Sequence, residues 1–79
     1  MQIVKVQYFK GEINGYMGRE YSYRTELPLK GGDKVIAPTA KDENQRAIVT
    51  KAGLPESVID PAWADRVRSI TRMDNGEVR

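Results

Sequence analysis

The apolar residues of this chain come in short alternating runs, and glycine, proline or Asn-Gly stands in the gaps between them. A period of two fits a strand with one covered face and does not fit a helix, so this pattern restricts the fold more than any other feature. In residues 2–9, Val4, Val6 and Tyr8 share one face, and Lys5 and Gln7 share the other. The β-branched and aromatic content of this run suits a strand. Ile3 and Phe9 fall on the second face, which implies that this face is partly covered as well. Residues 19–25 alternate again, with Tyr21 and Tyr23 on one side and Ser22 and Arg24 on the other. Val35-Ile36-Ala37, within 34–38, and Ala47-Ile48-Val49, within 46–52, read as a third and a fourth strand.

The punctuation agrees with this reading. Residues 10–18 hold three glycines and an Asn14-Gly15 step, where both residues tolerate positive φ, so a hairpin or a longer mobile loop is expected. Leu27-Pro28-Leu29 makes an extended corner. Gly31-Gly32-Asp33 makes a turn, and Pro38 must lie at an edge or at a strand end because it cannot donate to a ladder. The polar stretch 39–45 suits a hairpin tip, and Gly53-Leu54-Pro55 ends the fourth strand. Asp60-Pro61 then reads as a helix start, with Asp60 as the cap and Pro61 at the first helical position. Trp63 and Val67, four apart, would share a helical face, and Ile70 extends the pattern if the helix continues. The competing reading ends the helix near Val67 and makes 68–73 a fifth strand; one or two helical turns followed by a short strand is expected. The tail 74–79 is polar and is expected to fray.

With 79 residues, one domain over 1–79 is the ceiling, and a chain this short buries a thin core. It has neither cysteine nor histidine. Disulfides and thiolate metal sites are therefore excluded, and stability has to come from packing, turns or self-association. Short, evenly spaced strands of this kind predict a mainly β fold. The expected form is a small, partly open SH3-like barrel of four or five strands, with one short helical turn near residues 60–67.

Tyr21-Ser22-Tyr23, Leu29 through Pro38 with its Gly31-Gly32-Asp33 turn, and Ala47-Ile48-Val49-Thr50 together have a familiar cadence. They resemble the small SH3-like barrels in which an aromatic strand leads to a Gly-Asp turn, an apolar strand ending in proline, a polar hairpin and an Ile-Val strand. The N-terminal DNA-binding domain of the primosomal helicase has a similar phrase, as do many short uncharacterised proteins of phages and mobile elements. The resemblance covers about residues 19–52. It implies a barrel fold and a binding role.

The missing His and Cys remove the usual general bases and thiol nucleophiles. Asp42 and Glu43 are adjacent carboxylates on a polar tip, where a solvated role is the ordinary one. Gly31-Gly32-Asp33-Lys34 opens a strand rather than a helix and lacks phosphate-loop spacing. No enzyme, no cofactor and no metal are expected. Without an export signal, a membrane span or a cysteine, a cytoplasmic location is the default.

Two functions from different classes stay open. The first is a protein-interaction module, encoded by a phage or mobile element, that binds or inhibits a larger host assembly. Its contact residues would be Tyr16 and Met17 in the glycine loop, and Trp63. Each has a plainer reading: Tyr16 and Met17 fold back over the barrel mouth, and Trp63 plugs one end of the barrel. The second is a nucleic-acid-binding barrel in which Tyr21 and Tyr23 stack bases, with Arg19, Arg24, Arg66, Arg68 and Arg72 on phosphates. Here the plainer readings are a core role for the tyrosines and a solvated face for the arginines. The net charge of +2 permits nucleic acid without demanding it. A β edge paired between copies is a third expectation.

Overall fold

The computed structural model describes residues 2–74. These form six strands: β1 (Gln2–Lys10), β2 (Gly15–Tyr16), β3 (Tyr21–Thr25), β4 (Lys34–Ile36), β5 (Arg46–Leu54) and β6 (Ser69–Ile70). Two 3-10 helices, Glu56–Val58 and Pro61–Arg66, connect β5 to β6. β1 is central because both of its edges are paired: antiparallel to β3 on one side and to β5 on the other. The sheet runs β4-β5-β1-β3-β6, and β2 folds back on the far end of β1.

The sheet rolls up because the C-terminal segment touches both of its ends. β6 runs parallel to β3, pairing Arg24 with Ser69 and Thr25 with Ile70. Two to four residues later the same chain reaches β4: the Ile36 amide donates to the Arg72 carbonyl (3.3 Å), and the Asp74 amide donates to the Lys34 carbonyl (2.9 Å). Val35 and Met73 bridge between these bonds. The result is the mainly β, partly open barrel that the alternation predicts. Closure gives most of the strand edges a partner, which is the reason small sheets roll.

Period-two alternation decides what lies inside. Val4, Val6, Tyr23, Val35, Ala37, Ala47, Val49 and Ile70 form the interior, with Tyr8 packed against it. Thr25 is buried among them and is satisfied: its hydroxyl donates to the Ile70 carbonyl (2.9 Å) and accepts from the Leu27 amide (3.0 Å). Ile3, on the opposite face of β1, is also fully buried. The start of β1 lies against the Glu56–Val58 turn, so the second face is covered there as expected. The Gln2 amide ties this end together, donating to the Leu27 and Leu29 carbonyls and accepting from the Gly53 amide.

The hairpin expected within 10–18 forms between β1 and β2, with a loop over 11–14 in which Asn14 takes positive φ (51°). Two local expectations change. β5 runs on through Gly53, whose φ of 68° falls at one of the two register shifts in its pairing with β1. The helical segment at 61–66 is 3-10 rather than α, although Asp60 caps it as predicted by accepting from the Ala62 amide (2.9 Å). The fraying expected over 74–79 lies, beyond Asp74, outside the described residues. Among the described residues, no helix is long and apolar enough to cross a membrane.

Closure by β6 buries Ile70, 1% exposed, in the barrel interior. Ile70→Ala should cost about 2–5 kcal/mol, the usual range for an isoleucine emptied from a core. Arg46→Ala, which removes the Arg46–Asp74 ion pair (2.8 Å) together with the Arg46 stack on Phe9, should cost clearly less than Ile70→Ala. Urea unfolding of the two variants measures both, and equal losses would show that the Arg46 contacts, and not the core alone, hold the barrel shut.

Candidate functional site

The interior face of β3 continues past the barrel's closure, and this creates the site. Tyr21 and Tyr23 lie on the same face, as their spacing predicts. Tyr23 is 4% exposed and belongs to the core, whereas Tyr21, two residues nearer the mouth, is 41% exposed. Tyr8 of β1 covers one side of Tyr21: the rings are parallel within 9°, with centroids 4.6 Å apart. Below this stack the Tyr8 and Tyr23 hydroxyls meet at 2.7 Å, and the Tyr23 hydroxyl reaches the Pro38 carbonyl at 3.0 Å. A phenol has one proton, so if Tyr23 donates to Pro38 it accepts from Tyr8. The relay ties β1 and β3 to the strand end at Pro38.

The 3-10 geometry supplies the opposite wall. In a 3-10 helix residues three apart eclipse one another. Arg66 therefore stands over Trp63, its guanidinium carbon 5.1 Å from the ring centroid. The four-residue spacing of Trp63 and Val67 has no meaning in such a helix, so Trp63 is not a plug. It is 54% exposed and faces outward. Tyr8, Tyr21, Pro38, Trp63, Arg66 and Arg68 thus line one open groove of about 470 Å³. Pro38 and Arg68 also border a second depression of about 290 Å³ that leads to Arg72.

The predicted residues divide into groups. The groove unites Trp63, taken from the protein-contact set, with Tyr21, Arg66 and Arg68, taken from the nucleic-acid set. Tyr23 forms its floor. Arg24 is not available to a ligand: it binds both carboxylate oxygens of Glu56 (2.9 and 3.1 Å) and the Ala64 carbonyl (2.9 Å). That pairing anchors the 3-10 segment to the outer face of β3 and holds the Glu56 carboxyl below its ordinary range. Arg19 is exposed and lies outside the groove lining. Arg72 bonds the Asn44 side chain.

Tyr16 and Met17 lie elsewhere and do not cover the barrel mouth. Tyr16 meets Phe9 edge to face (centroids 5.4 Å, 70°) on the β1–β2 hairpin, with Arg46 stacked on the other ring 4.7 Å away. Met17 remains 52% exposed. Sequence reasoning missed Tyr8 and Pro38 as site residues. Tyr8 alternates with core valines, and only the β1–β3 register places it under Tyr21.

Burial pushes the Tyr23 phenol far above its ordinary value near 10 and raises Tyr8 in the same direction; the Arg68 guanidinium opposes the rise at both. A raised phenol pKa means that the folded state holds its proton where the unfolded chain has released it. The associated stability is complete below about pH 10 and declines as pH rises above it. Thermal unfolding followed from pH 8 to 11.5 should show this decline for the natural chain and a shallower one for Tyr23→Phe. At pH 8, Tyr23→Phe should itself cost about 1–3 kcal/mol, because the Pro38 carbonyl and the Tyr8 hydroxyl lose a buried partner. A variant whose alkaline decline matches that of the natural chain would show that Tyr23 is not the titrating group.

Comparison with family models, with curated proteins and with solved structures returns no match for this chain, so its geometry alone carries the functional reading.

Proposed function

We propose that this chain is a non-enzymatic binding module that holds a segment of a larger partner protein in the groove between β3 and the Pro61–Arg66 helix. One observation carries this reading. Tyr21 and Trp63 are large, exposed aromatics held in fixed positions, Tyr21 by stacking on Tyr8 and Trp63 by its place on the capped 3-10 helix, and both face the same groove. Aromatic and arginine side chains in a concave site are the usual anchors of protein interfaces, and the rigid aromatics bring large contact area at low cost in conformational freedom. Tyr16 and Met17 form a separate apolar patch and are secondary in this reading. The cytoplasmic setting and a phage or mobile-element role in binding a host assembly belong to the same proposal.

A second reading, nucleic-acid binding, is favoured by Arg66, Arg68 and Arg72, which follow one another from the groove into the neighbouring depression. A base stacked on Tyr21 would place its phosphates near this line.

Affinity capture from native extract with three forms of the full chain separates these readings: natural, Tyr21→Ala with Trp63→Ala, and Tyr16→Ser with Met17→Ser. The groove double variant should lose the retained protein by about thirtyfold or more, the usual effect of truncating interface anchors, and the hairpin double variant should keep most of it. Capture that survives the groove variant and fails in the hairpin variant would move the site to the hairpin. Gel shifts with single- and double-stranded oligonucleotides test the second reading. It requires a complex at low salt that dissociates steeply as salt rises.

A further inference from the structure

The groove runs beside an unpaired stretch of sheet edge. Arg24 directs its amide away from β1, donating to the Arg68 carbonyl at 3.0 Å. In an antiparallel pair successive residues point their backbone groups to alternate sides, so Ser22 points the same way as Arg24. Continuation of the β3–β6 ladder would give Ser22 partners around residues 66–68. The ladder instead stops at Arg24, because Pro61–Arg66 is helical and the chain diverges from β3 there. Among the described residues, no backbone group bonds the outward amide or carbonyl of Ser22, and Ser22 lines the groove with Tyr21 and Trp63.

The charges beside this edge are unevenly satisfied. Of the two groove carboxylates, Asp60 accepts the Ala62 amide at the helix cap, and Glu20 lies 3.9 Å from the Lys51 ammonium. Among the described residues, neither Arg66 nor Arg68 pairs with a carboxylate.

We infer that the occupant of the groove is an extended, acidic peptide segment that pairs its backbone with Ser22 as an added strand. One of its side chains packs between Tyr21 and Trp63, and a carboxylate meets Arg66 and Arg68. This deepens the protein-binding reading and rests on it. Backbone pairing contributes affinity in such strand additions, and alternate side chains contribute specificity. The two unpaired guanidiniums select an acidic segment over a basic one.

Proline at position 22 provides the test. It removes the outward amide while leaving the β1-facing bonds of Tyr21 and Tyr23, and proline is tolerated at an edge position whose N–H faces solvent. The full chain, Ser22→Pro, Ser22→Ala, and the double variant Tyr21→Ala with Trp63→Ala would be screened against a library of randomised twelve-residue peptides. Selected peptides should be rich in Asp or Glu, with apolar residues at alternate positions. They should bind Ser22→Pro about tenfold or more weakly, as expected for one lost backbone bond, and Ser22→Ala unchanged. If Ser22→Pro fails to fold, nuclear Overhauser contacts between a bound peptide's backbone and Ser22 of the natural chain replace it, and their absence counts against strand pairing. Peptides that lose binding to the double variant but not to Ser22→Pro would overturn this inference and leave the protein-binding reading standing. Selection of basic or helical peptides would also overturn it. Retention of no peptide, with oligonucleotides retained instead, would overturn both.

Discussion

The barrel depends on a short stretch of chain that has to pair with two strands at once. Residues 68–74 lie along β3 at one end and β4 at the other, and without them the sheet would have two open edges. The pairing with β3 is only two residues long. Ile70 and Thr25 fix its position, one by filling the interior and the other by bonding the Ile70 carbonyl. Because closure is brief, the N-terminal half of β3 projects beyond it. One wall of the groove is therefore the part of β3 that closure leaves uncovered, and the Pro61–Arg66 helix supplies the other.

This geometry explains why one side chain can be core while its neighbour two residues away is surface. Tyr23 lies inside the closed section, where burial is complete and its hydroxyl must find partners. Tyr21 lies outside that section, where Tyr8 covers one face of its ring and 41% of the residue stays exposed. The hydroxyl relay from Tyr8 through Tyr23 to Pro38 ties the floor of the groove to the chain just past β4. On the far wall, the Arg24–Glu56 fork and the Asp60 cap hold the short helix that displays Trp63 and Arg66. The groove is thus preorganised from both sides, the property that lets a small aromatic surface bind with little loss of conformational freedom.

Much of the fold was legible because each barrel strand buries one face. Val4 and Val6, Tyr23, and Ala47 with Val49 reveal that face by alternation alone. β2 and β6 are two residues each, too short for a period to exist, and their pairing is a tertiary outcome. The helix type was misread because Trp63 and Val67 suggested an α period, whereas a six-residue segment starting at Pro61 closes as 3-10 turns. The site was legible only in pieces. Tyr21, Trp63, Arg66 and Arg68 each stand out by residue type, but their convergence depends on the chain path from β5 to β6. Arg24 looked like a ligand contact because its partner, Glu56, is 32 residues away in the chain.

Amide hydrogen exchange of the free chain, residue by residue, tests the incomplete closure most directly. The amides of Arg24 and Tyr23 are bonded in ladders, to Arg68 and within the β1–β3 pair, and should exchange slowly. The Ser22 amide, in the same strand between them and the groove, should exchange far faster. A Ser22 amide protected as strongly as that of Arg24 would mean that the edge is already occupied, and the groove would then have no free strand to offer.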